Sequence, residues 1–340
     1  MNSFLAAIKG HPHETTPLWF MRQAGRYLSG YRKLRLEYSI KEICRDPDLT
    51  VQVTSEPIDL LGVDAAIIFS DITIPLEAMG FNVEFRENVG PVISNPLSTN
   101  PDLIGITDFS TSEMHYGTYS AISKFREKYP DTPIIGFSGG PLTIASYLTL
   151  GRPDKDLSAT RTLLYKEAPA IKNILAMLRE MVIENAKAQV KAGANAIQIF
   201  DSWAGYLSPS MFSWYRDNYL SQIAEELSAM TSTIYFSTQT GGILDELTKT
   251  GFDFISMDWR VDLPRVASTI ETEMGLQGNI DPLMVSRSPD SAVIQSRKLV
   301  EKMKEKDNYI FNLGHGVLPD TDPEALREIV RTVHQFRRDK

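Results

Sequence analysis

The sequence predicts an α/β protein, a single-domain (β/α)₈ TIM barrel over residues 1–340, because strand-like apolar runs alternate with helical patterns. Turn residues bound eight such runs: PLWF (17–20), DAAIIFS (64–70), PIIGFSG (133–139), AIQIFDS (196–202), TIYFST (233–238), FDFISMD (252–258), LQGNID (276–281) and YIFNLGH (309–315). A doubly wound sheet is the runner-up. The absence of G-x-G-x-x-G after the first run weakens a dinucleotide-binding version of that alternative.

Three of the runs share a local pattern at their start. GVDAAIIF (62–69), GANAIQIF (193–200) and GFDFISM (251–257) each place a glycine and then Asp or Asn before the apolar residues. Glycine adopts the left-handed conformation that ends a helix, so the chain can turn from a helix into a buried strand. The unequal spacing excludes a short solenoid repeat and fits βα units with loops of variable length.

The clearest helix lies at the carboxyl end, in DPEALREIVRTVHQF (322–336). Asp322 can cap the helix and Pro323 suits its first turn. The spacing of the apolar residues places one face toward the core. That face consists of Leu326, Ile329, Val330, Val333 and Phe336.

The charge distribution points to a small anionic ligand. The chain has 35 basic and 43 acidic residues, which argues against a role in binding nucleic acid or a polybasic role at a membrane. Yet the segment WFMRQAGRYLSGYRKLR (19–35) concentrates basic residues beside apolar ones, with no acid among them. These basic residues are Arg22, Arg26, Arg32, Lys33 and Arg35.

The compartment is predicted to be the cytoplasm. Cys44 is the one cysteine, so an intrachain disulfide is impossible. The beginning of the chain, MNSFLAAIKGHPHE, does not resemble a cleaved signal, and no run of 18 apolar residues occurs.

Polar residues at the ends of the predicted strands are candidate site residues, because barrel active sites lie at the carboxyl ends of the strands. They are Arg22, Asp71, Gly139–Gly140, Ser202, Asp258, Asp281 and His315. Simpler explanations remain open: Asp71 and Ser202 can cap helices, and His315 can serve a structural hydrogen bond. Tyr147, two helical turns after Pro141, is by itself typical of a core residue. No metal site is expected, since His11 and His13 have no second group of ligands and no thiolate cluster exists.

Five segments resemble the uroporphyrinogen decarboxylase family, in the same order and over nearly the whole chain (about 10–338). They are PLWFMRQAGRYLSGYRKLR, GVDAAIIFSDITIPLEAMG, IQIFDSWAGYLSP, LQGNIDP and FNLGHGVLPDTDPE. The resemblance implies a (β/α)₈ barrel, a homodimer with facing clefts, and decarboxylation of the four acetate groups of uroporphyrinogen III to give coproporphyrinogen III in porphyrin and haem biosynthesis. It also implies that no cofactor is needed, because a protonated pyrrole can accept the electron pair that decarboxylation releases.

The resemblance also assigns roles to residues. It implies a catalytic role for Asp71, Arg22 and Arg26. It implies substrate contacts for Arg22, Gln23, Ala24, Gly25, Arg26, Asp71, Tyr147, Ser202 and His315. An octacarboxylate substrate would explain the basic cluster, since arginine binds carboxylates through paired donors.

The sequence departs from the family pattern at two places, and two alternative functions remain open. The chain has LTLGRPDKD after Tyr147, where the family is often glycine-rich, and Glu56 precedes Pro57 where glutamine is common. A corrinoid-linked methyltransferase would need later cysteines for zinc, and the chain has none after Cys44. A tetrapyrrole carrier that has lost catalysis is the alternative from another functional class, and a turnover assay distinguishes it.

Overall fold

A parallel sheet of seven strands forms the centre of the molecule, as seen in a computed structural model that describes residues 2–86, 89–98, 116–154, 156–166, 169–270 and 273–336. Its strand order is β1-β4-β5-β6-β7-β8-β9, and a separate antiparallel hairpin pairs β2 with β3. The strands are β1 Ala66–Ile67, β2 Val83–Arg86, β3 Gly90–Ile93, β4 Ile134–Gly139, β5 Ala196–Phe200, β6 Ser232–Phe236, β7 Phe254–Ser256, β8 Gly275–Ile280 and β9 Tyr309–Leu313.

Segment 17–20 occupies the remaining place in the barrel, between the last strand and the first. Leu18 forms a parallel bridge with Phe311 of β9, and the Phe311 N–H donates to the Pro17 carbonyl at 2.9 Å. On its other side, the Leu18 carbonyl accepts a hydrogen bond from Asp64 N–H just before β1, also at 2.9 Å. The eight predicted runs therefore all lie in the barrel, seven as strands and the first as a single bridge.

Helices follow most of the strands and pack around the sheet, which confirms the predicted α/β barrel class. They are α1 Ser3–Ala7, α2 Ser29–Glu37, α3 Ile40–Arg45, α4 Pro47–Leu61, α5 Tyr116–Lys128, α6 Pro141–Leu150, α7 Ser158–Tyr165, α8 Pro169–Ala192, α9 Pro209–Tyr215, α10 Ser221–Ser228, α11 Leu244–Leu247, α12 Leu263–Thr269, α13 Pro282–Arg287, α14 Pro289–Met303 and α15 Pro323–Gln335. In α15, Asp322 caps the Glu324 N–H at 2.9 Å, as predicted. None of the helices in the described ranges is long and apolar enough to cross a membrane.

The repeated glycine pattern marks the turn from helix to strand. Gly62, Gly193 and Gly251 have φ values of 74°, 115° and 87°, so each lies in the left-handed region that the sequence predicts. A side chain at these positions would impose strain, which explains the choice of glycine.

The Asp or Asn after each of these glycines ties two neighbouring strands together at their amino ends. Asp64 accepts from Leu18 N–H at 2.8 Å, and Asn195 accepts from Ile134 N–H at 2.9 Å. Asp253 accepts from both the N–H and the hydroxyl of Thr233 at 2.8 Å. In each case the donor is the first or second residue of the neighbouring strand that comes earlier in the barrel order. The sequence pattern therefore encodes both the turn and part of the strand pairing.

The β2–β3 hairpin was not predicted from the sequence. Its strands are short, and only Val83 and Ile93 in them are buried, so periodicity gives little signal. The hairpin nevertheless reaches the carboxyl end of the barrel, where it contributes Phe85, Gly90 and Pro91 to the lining of a cavity.

Candidate active site

A cavity of about 390 Å³ lies at the carboxyl ends of the barrel strands, where enzymes of this architecture place their sites. Eight of the nine residues predicted to contact a substrate line it. They are Arg22, Ala24, Gly25, Arg26, Asp71, Tyr147, Ser202 and His315. Residues that are distant in sequence therefore converge on one cavity.

Arg22 and Arg26 bring positive charge to the cavity on a turn that follows segment 17–20. Both side chains are exposed, and among the described residues neither guanidinium forms a hydrogen bond or an ion pair. Arg22 has a φ of 58°, which is uncommon for a residue with a side chain. Its side chain lies against Gly316, where an added Cβ would be 2.7 Å from Arg22 Cγ. The chain therefore holds Arg22 in a defined position with its charge available to a ligand.

The other three basic residues of the segment do not line the cavity. Arg32 donates to the carbonyl groups of Arg26 and Tyr27 at 2.9 and 2.8 Å, and Arg35 donates to the Tyr38 carbonyl. Lys33 is exposed on α2. The predicted cationic cluster thus divides into two cavity arginines and three residues outside the cavity.

Gln23 does not line the cavity, although it belongs to the predicted substrate-binding segment. Its side chain is fully buried, donating to the Ala65 carbonyl at 3.1 Å and accepting from Phe20 N–H at 3.0 Å. The Tyr27 hydroxyl also donates to the Gln23 carbonyl at 2.6 Å. These bonds fix the turn that carries the two arginines beside β1.

Asp71 follows β1, where it both caps the next turn and lines the cavity. Its Oδ1 accepts from the N–H and the hydroxyl of Thr73, at 2.9 and 2.6 Å, at the start of a short 3₁₀ helix, Ile74–Met79. Among the described residues no hydrogen bond reaches Oδ2, so this oxygen remains available in the cavity. Burial raises the pKa of Asp71, whereas the Thr73 hydrogen bonds and the Arg22 charge oppose that rise.

His315 presents a neutral ring to the cavity. The Gly316 N–H donates to Nδ1 at 2.7 Å, which leaves the proton of the neutral ring on Nε2. Burial, together with the Arg22 and Arg260 charges, lowers the pKa of His315 to about 4. At neutral pH the ring can therefore donate one hydrogen bond from Nε2 without carrying a charge.

Tyr147 and Ser202 lie on neighbouring elements at the same edge. Tyr147 is in α6, and its ring contacts that of Trp203 with centroids 5.3 Å apart. Burial and the Asp71 carboxylate raise the pKa of Tyr147, so its hydroxyl stays protonated, although Arg22 opposes the shift. Ser202 follows β5, and its carbonyl accepts from the Thr238 hydroxyl at 2.6 Å. Both hydroxyl groups can hydrogen-bond a ligand.

The remaining strand-end candidates lie outside the cavity. Asp258 is buried and forms an ion pair with Arg260 at 2.9 Å. Asp281 caps α13 by accepting from Leu283 N–H at 2.8 Å. Gly140 precedes α6 as its amino-terminal cap. Their position at the carboxyl ends was predicted correctly, but the structure gives them structural partners.

Sequence reasoning missed the phenylalanines that form the aromatic floor of the cavity. Four phenylalanines that line it come from successive barrel strands or their ends: Phe69, Phe137, Phe200 and Phe236. The rings of Phe137 and Phe200 meet edge to face at 5.6 Å, and those of Phe200 and Phe236 at 6.0 Å. The sequence did contain a pattern that could have identified them, because each of these phenylalanines ends an apolar run and is followed directly by Ser or Asp.

The cavity therefore combines a cationic rim, a carboxylate and an aromatic floor. Such a lining suits a ligand with a broad apolar body and negative groups at its edge. In the described ranges, no group of three or more His, Cys, Asp or Glu side chains is arranged to hold a metal ion. His13 Nδ1 contacts the His11 carbonyl at 3.0 Å instead.

Fold and site together define a barrel of the enzyme type whose pocket lining suits an anionic, partly apolar ligand. Residues 1–336 match the model of the family described as uroporphyrinogen decarboxylase. The chain belongs to the uroporphyrinogen decarboxylase family. It is 45% identical to the uroporphyrinogen decarboxylase of Thermoplasma acidophilum over 98% of this chain and 99% of the relative. It is 43% identical to that of Picrophilus torridus over 99% of each chain. It is 37% identical to that of Streptomyces avermitilis over 98% of this chain and 94% of the relative.

Solved structures support the barrel fold. A methyltransferase from Methanosarcina mazei superposes with a TM-score of 0.83, at 22% identity, over 98% of each chain. A B12-independent methionine synthase from Shewanella gives a TM-score of 0.54, at 15% identity, over 86% of this chain and 90% of that one. At these identities the likeness concerns the fold alone.

Proposed function

We propose that this chain removes CO₂ from the four acetate side chains of uroporphyrinogen III and so produces coproporphyrinogen III in porphyrin biosynthesis. The observation that carries the proposal is that Arg22 and Arg26, which have no ion pair among the described residues, line one cavity with Asp71 and an aromatic floor. The substrate carries carboxylates around an apolar macrocycle, so its charge pattern complements this cavity.

Asp71 is proposed to stabilise the cation that makes decarboxylation possible. Protonation of a pyrrole carbon gives an iminium-like ring, which accepts the electron pair of the breaking C–C bond. The Oδ2 atom of Asp71 can accept hydrogen bonds from pyrrole N–H groups and so favour that cation. The methylene carbon then takes a proton and the ring carbon loses one. Each cycle therefore consumes one proton and one carboxylate, and yields one methyl group and CO₂.

The surrounding residues are proposed to orient the macrocycle. Arg22 and Arg26 pair with substrate carboxylates, and their permanent charge makes them poor proton donors. Neutral His315 donates through Nε2, while Tyr147 and Ser202 offer hydroxyl groups to the same ligand. Ala24 and Gly25 would contact the substrate through the same turn, and Gln23 would support that turn from below.

The proposal includes a single domain over residues 1–340, a homodimer and a cytoplasmic location. One main core cluster joins helices from both halves of the described chain, which supports the single domain. The buried Cys44 thiol and the impossibility of an intrachain disulfide are compatible with a reducing compartment. Light scattering of the purified protein would test the dimer.

Turnover tests the function directly. The protein is incubated anaerobically with uroporphyrinogen III, and the products are oxidised and separated by chromatography. We expect porphyrins with seven, six, five and four carboxylates to appear with time. Recovery of unchanged octacarboxylate, with bound substrate detected by equilibrium dialysis, would support the carrier alternative instead.

A further inference from the structure

Asp201 is a buried carboxylate that the proposed chemistry does not use. It follows β5 directly, its side chain has an exposed fraction of 0%, and it does not line the cavity. Ser202, the next residue, does line the cavity, and Trp203 follows it. A fully buried carboxylate is costly unless its oxygens are hydrogen-bonded, so its partners indicate its purpose.

Four donors satisfy the two oxygens of Asp201. Oδ1 accepts from Thr143 N–H at 2.9 Å and from the Thr143 hydroxyl at 2.8 Å. Oδ2 accepts from the Tyr215 hydroxyl at 2.7 Å and from the Tyr235 hydroxyl at 3.0 Å. Tyr215 is committed as a donor to Asp201, because its own oxygen accepts from Leu142 N–H at 3.0 Å. Burial raises the pKa of Asp201, whereas the hydrogen bonds from Tyr215, Thr143 and Tyr235 oppose that rise by favouring the ionised carboxylate.

These partners connect the two walls of the cavity. Thr143 lies in the first turn of α6, the helix that carries Tyr147, whereas Asp201 immediately precedes Ser202. The Thr143 hydroxyl also accepts from Trp203 N–H at 3.4 Å, and the Trp203 ring contacts the Tyr147 ring. The start of α6 and the end of β5 are thus held together through one side chain.

The approach of the two elements is unusually close. Gly140, which caps α6, donates its N–H to the Phe200 carbonyl at 2.8 Å. A Cβ at Gly140 would collide with the Asp201 side chain. Glycine at this position therefore allows Asp201 to reach the first turn of the helix.

From this geometry we infer that Asp201 is a positioning residue, which sets the distance between Tyr147 and Ser202 by anchoring α6 to β5. It does not touch the substrate. Because its effect on turnover depends on what the cavity does, this role rests on the proposed function. Small displacements of groups that orient a substrate can cost about 100-fold in rate.

The central test is Asp201→Asn. Asparagine keeps the size and an acceptor for Thr143, as Asn195 shows elsewhere in the barrel, but places an amide donor toward the two tyrosine hydroxyls. We expect a folded protein by circular dichroism, with kcat/KM lowered about 10- to 100-fold. Asp253→Asn is the matched control, because Asp253 makes the same pair of bonds to Thr233 at the opposite end of the barrel. The control should retain normal turnover.

A double-mutant cycle separates positioning from general destabilisation. In a Tyr147→Phe/Ser202→Ala background, Asp201→Asn should lower kcat/KM by less than about threefold, since the groups that it positions are gone. An equal fold-loss in both backgrounds would overturn the role. Normal kinetics in folded Asp201→Asn would overturn it as well, while an inactive wild type would instead refute the proposed function.

A measurement without turnover keeps the test independent of the substrate. With 3-fluorotyrosine incorporated, the ¹⁹F signal of Tyr147, assigned by its loss in Tyr147→Phe, should shift in Asp201→Asn and not in Asp253→Asn. An unmoved signal would contradict the proposed anchor. If Asp201→Asn does not fold, Thr143→Val and Tyr235→Phe replace it. The Thr143 change should then shift the Tyr147 signal more, because only Thr143 belongs to α6.

Discussion

At the scale of single residues, Asp71 shows how one side chain can serve the fold and the site together. One oxygen holds the turn through Thr73, and the other remains available in the cavity. The two functions are separable by substitution, because an asparagine Oδ1 can still accept both Thr73 hydrogen bonds.

Asp71→Asn should therefore lose activity while keeping its turn. It removes the anion and can place an amide donor toward the pyrrole N–H groups, so we expect turnover to fall at least about 10²–10³-fold. Asp71→Glu keeps the charge, displaced by a methylene, and should retain more activity than the asparagine variant. Steady-state turnover and thermal melting measure both effects. A folded asparagine variant with near-normal turnover would leave Asp71 only its capping role.

Arg22→Ala should weaken substrate use without unfolding the protein. The guanidinium has no protein partner among the described residues, so its loss breaks no internal bond, whereas a substrate carboxylate loses its counter-charge. A charge-assisted hydrogen bond contributes about 1.5–3 kcal/mol, which corresponds to at least a tenfold loss in kcat/KM. Lys33→Ala is the matched control, since it removes one exposed positive charge outside the cavity. Equal kinetics in the two variants would exclude Arg22 from the site.

The lowered pKa of His315 predicts how the stability of the fold depends on pH. Its pKa is near 6.5 in the unfolded chain and is lowered to about 4 in the fold, so between these values the unfolded chain binds more protons. The contribution is therefore fully present above pH 6.5 and is lost as the pH falls toward 4, with a total on the order of 3 kcal/mol. Urea unfolding at several pH values should show a shallower slope for His315→Asn.

The same histidine should matter less to turnover than Asp71 does. Neither His315 nor Tyr147 is assigned the central charge, so His315→Asn and Tyr147→Phe should both retain measurable activity. Loss of all turnover in either folded variant would indicate a proton donor at that position.

At the scale of elements, the turn that bears Arg22 depends on the loop after β9. Gly316 lies against the aliphatic part of the Arg22 side chain, so the two segments determine each other's geometry. The loop after β9, although distant in sequence, thereby helps to position the Arg22 guanidinium in the cavity.

Gly316→Ala should raise KM by displacing Arg22. The backbone at Gly316 lies outside the left-handed region, so alanine causes no conformational strain, and the new Cβ acts mainly through its contact with Arg22. Gly241→Ala is the matched control, because an added Cβ there meets no atom within 4 Å. We expect KM to rise several-fold in Gly316→Ala and to stay unchanged in Gly241→Ala. Identical KM values would show that Arg22 simply moves aside.

At the scale of the whole molecule, the proposed reaction uses the substrate as its own electron sink. We therefore expect the activity of purified protein to survive dialysis against a chelator and treatment with hydroxylamine to remove pyridoxal phosphate. Turnover before and after treatment is the measurement. Recovery of lost activity on adding a metal ion or an organic cofactor would contradict the mechanism.

Much of this molecule can be inferred from local sequence, because local sequence reflects local physics. Apolar runs that alternate with helical patterns located all the barrel strands. Glycines before Asp or Asn marked turns, and the φ values of these glycines are indeed in the left-handed region. Strand ends converge in a parallel barrel, so the sequence also placed Asp71, Ser202 and His315 at one edge. Family resemblance added Tyr147, which no periodic pattern distinguishes from a core residue.

Only the folded chain shows how side chains are shared between distant segments. Gln23 turns inward to Ala65 while its neighbours Arg22 and Ala24 line the cavity, and no local pattern distinguishes the three. Asp201 gains its four donors from α6, α9 and β6, which are separate in sequence. Periodicity describes the two faces of an element, but hydrogen bonds between elements depend on packing in three dimensions. That is why the strands were predictable and the anchoring of the cavity walls was not.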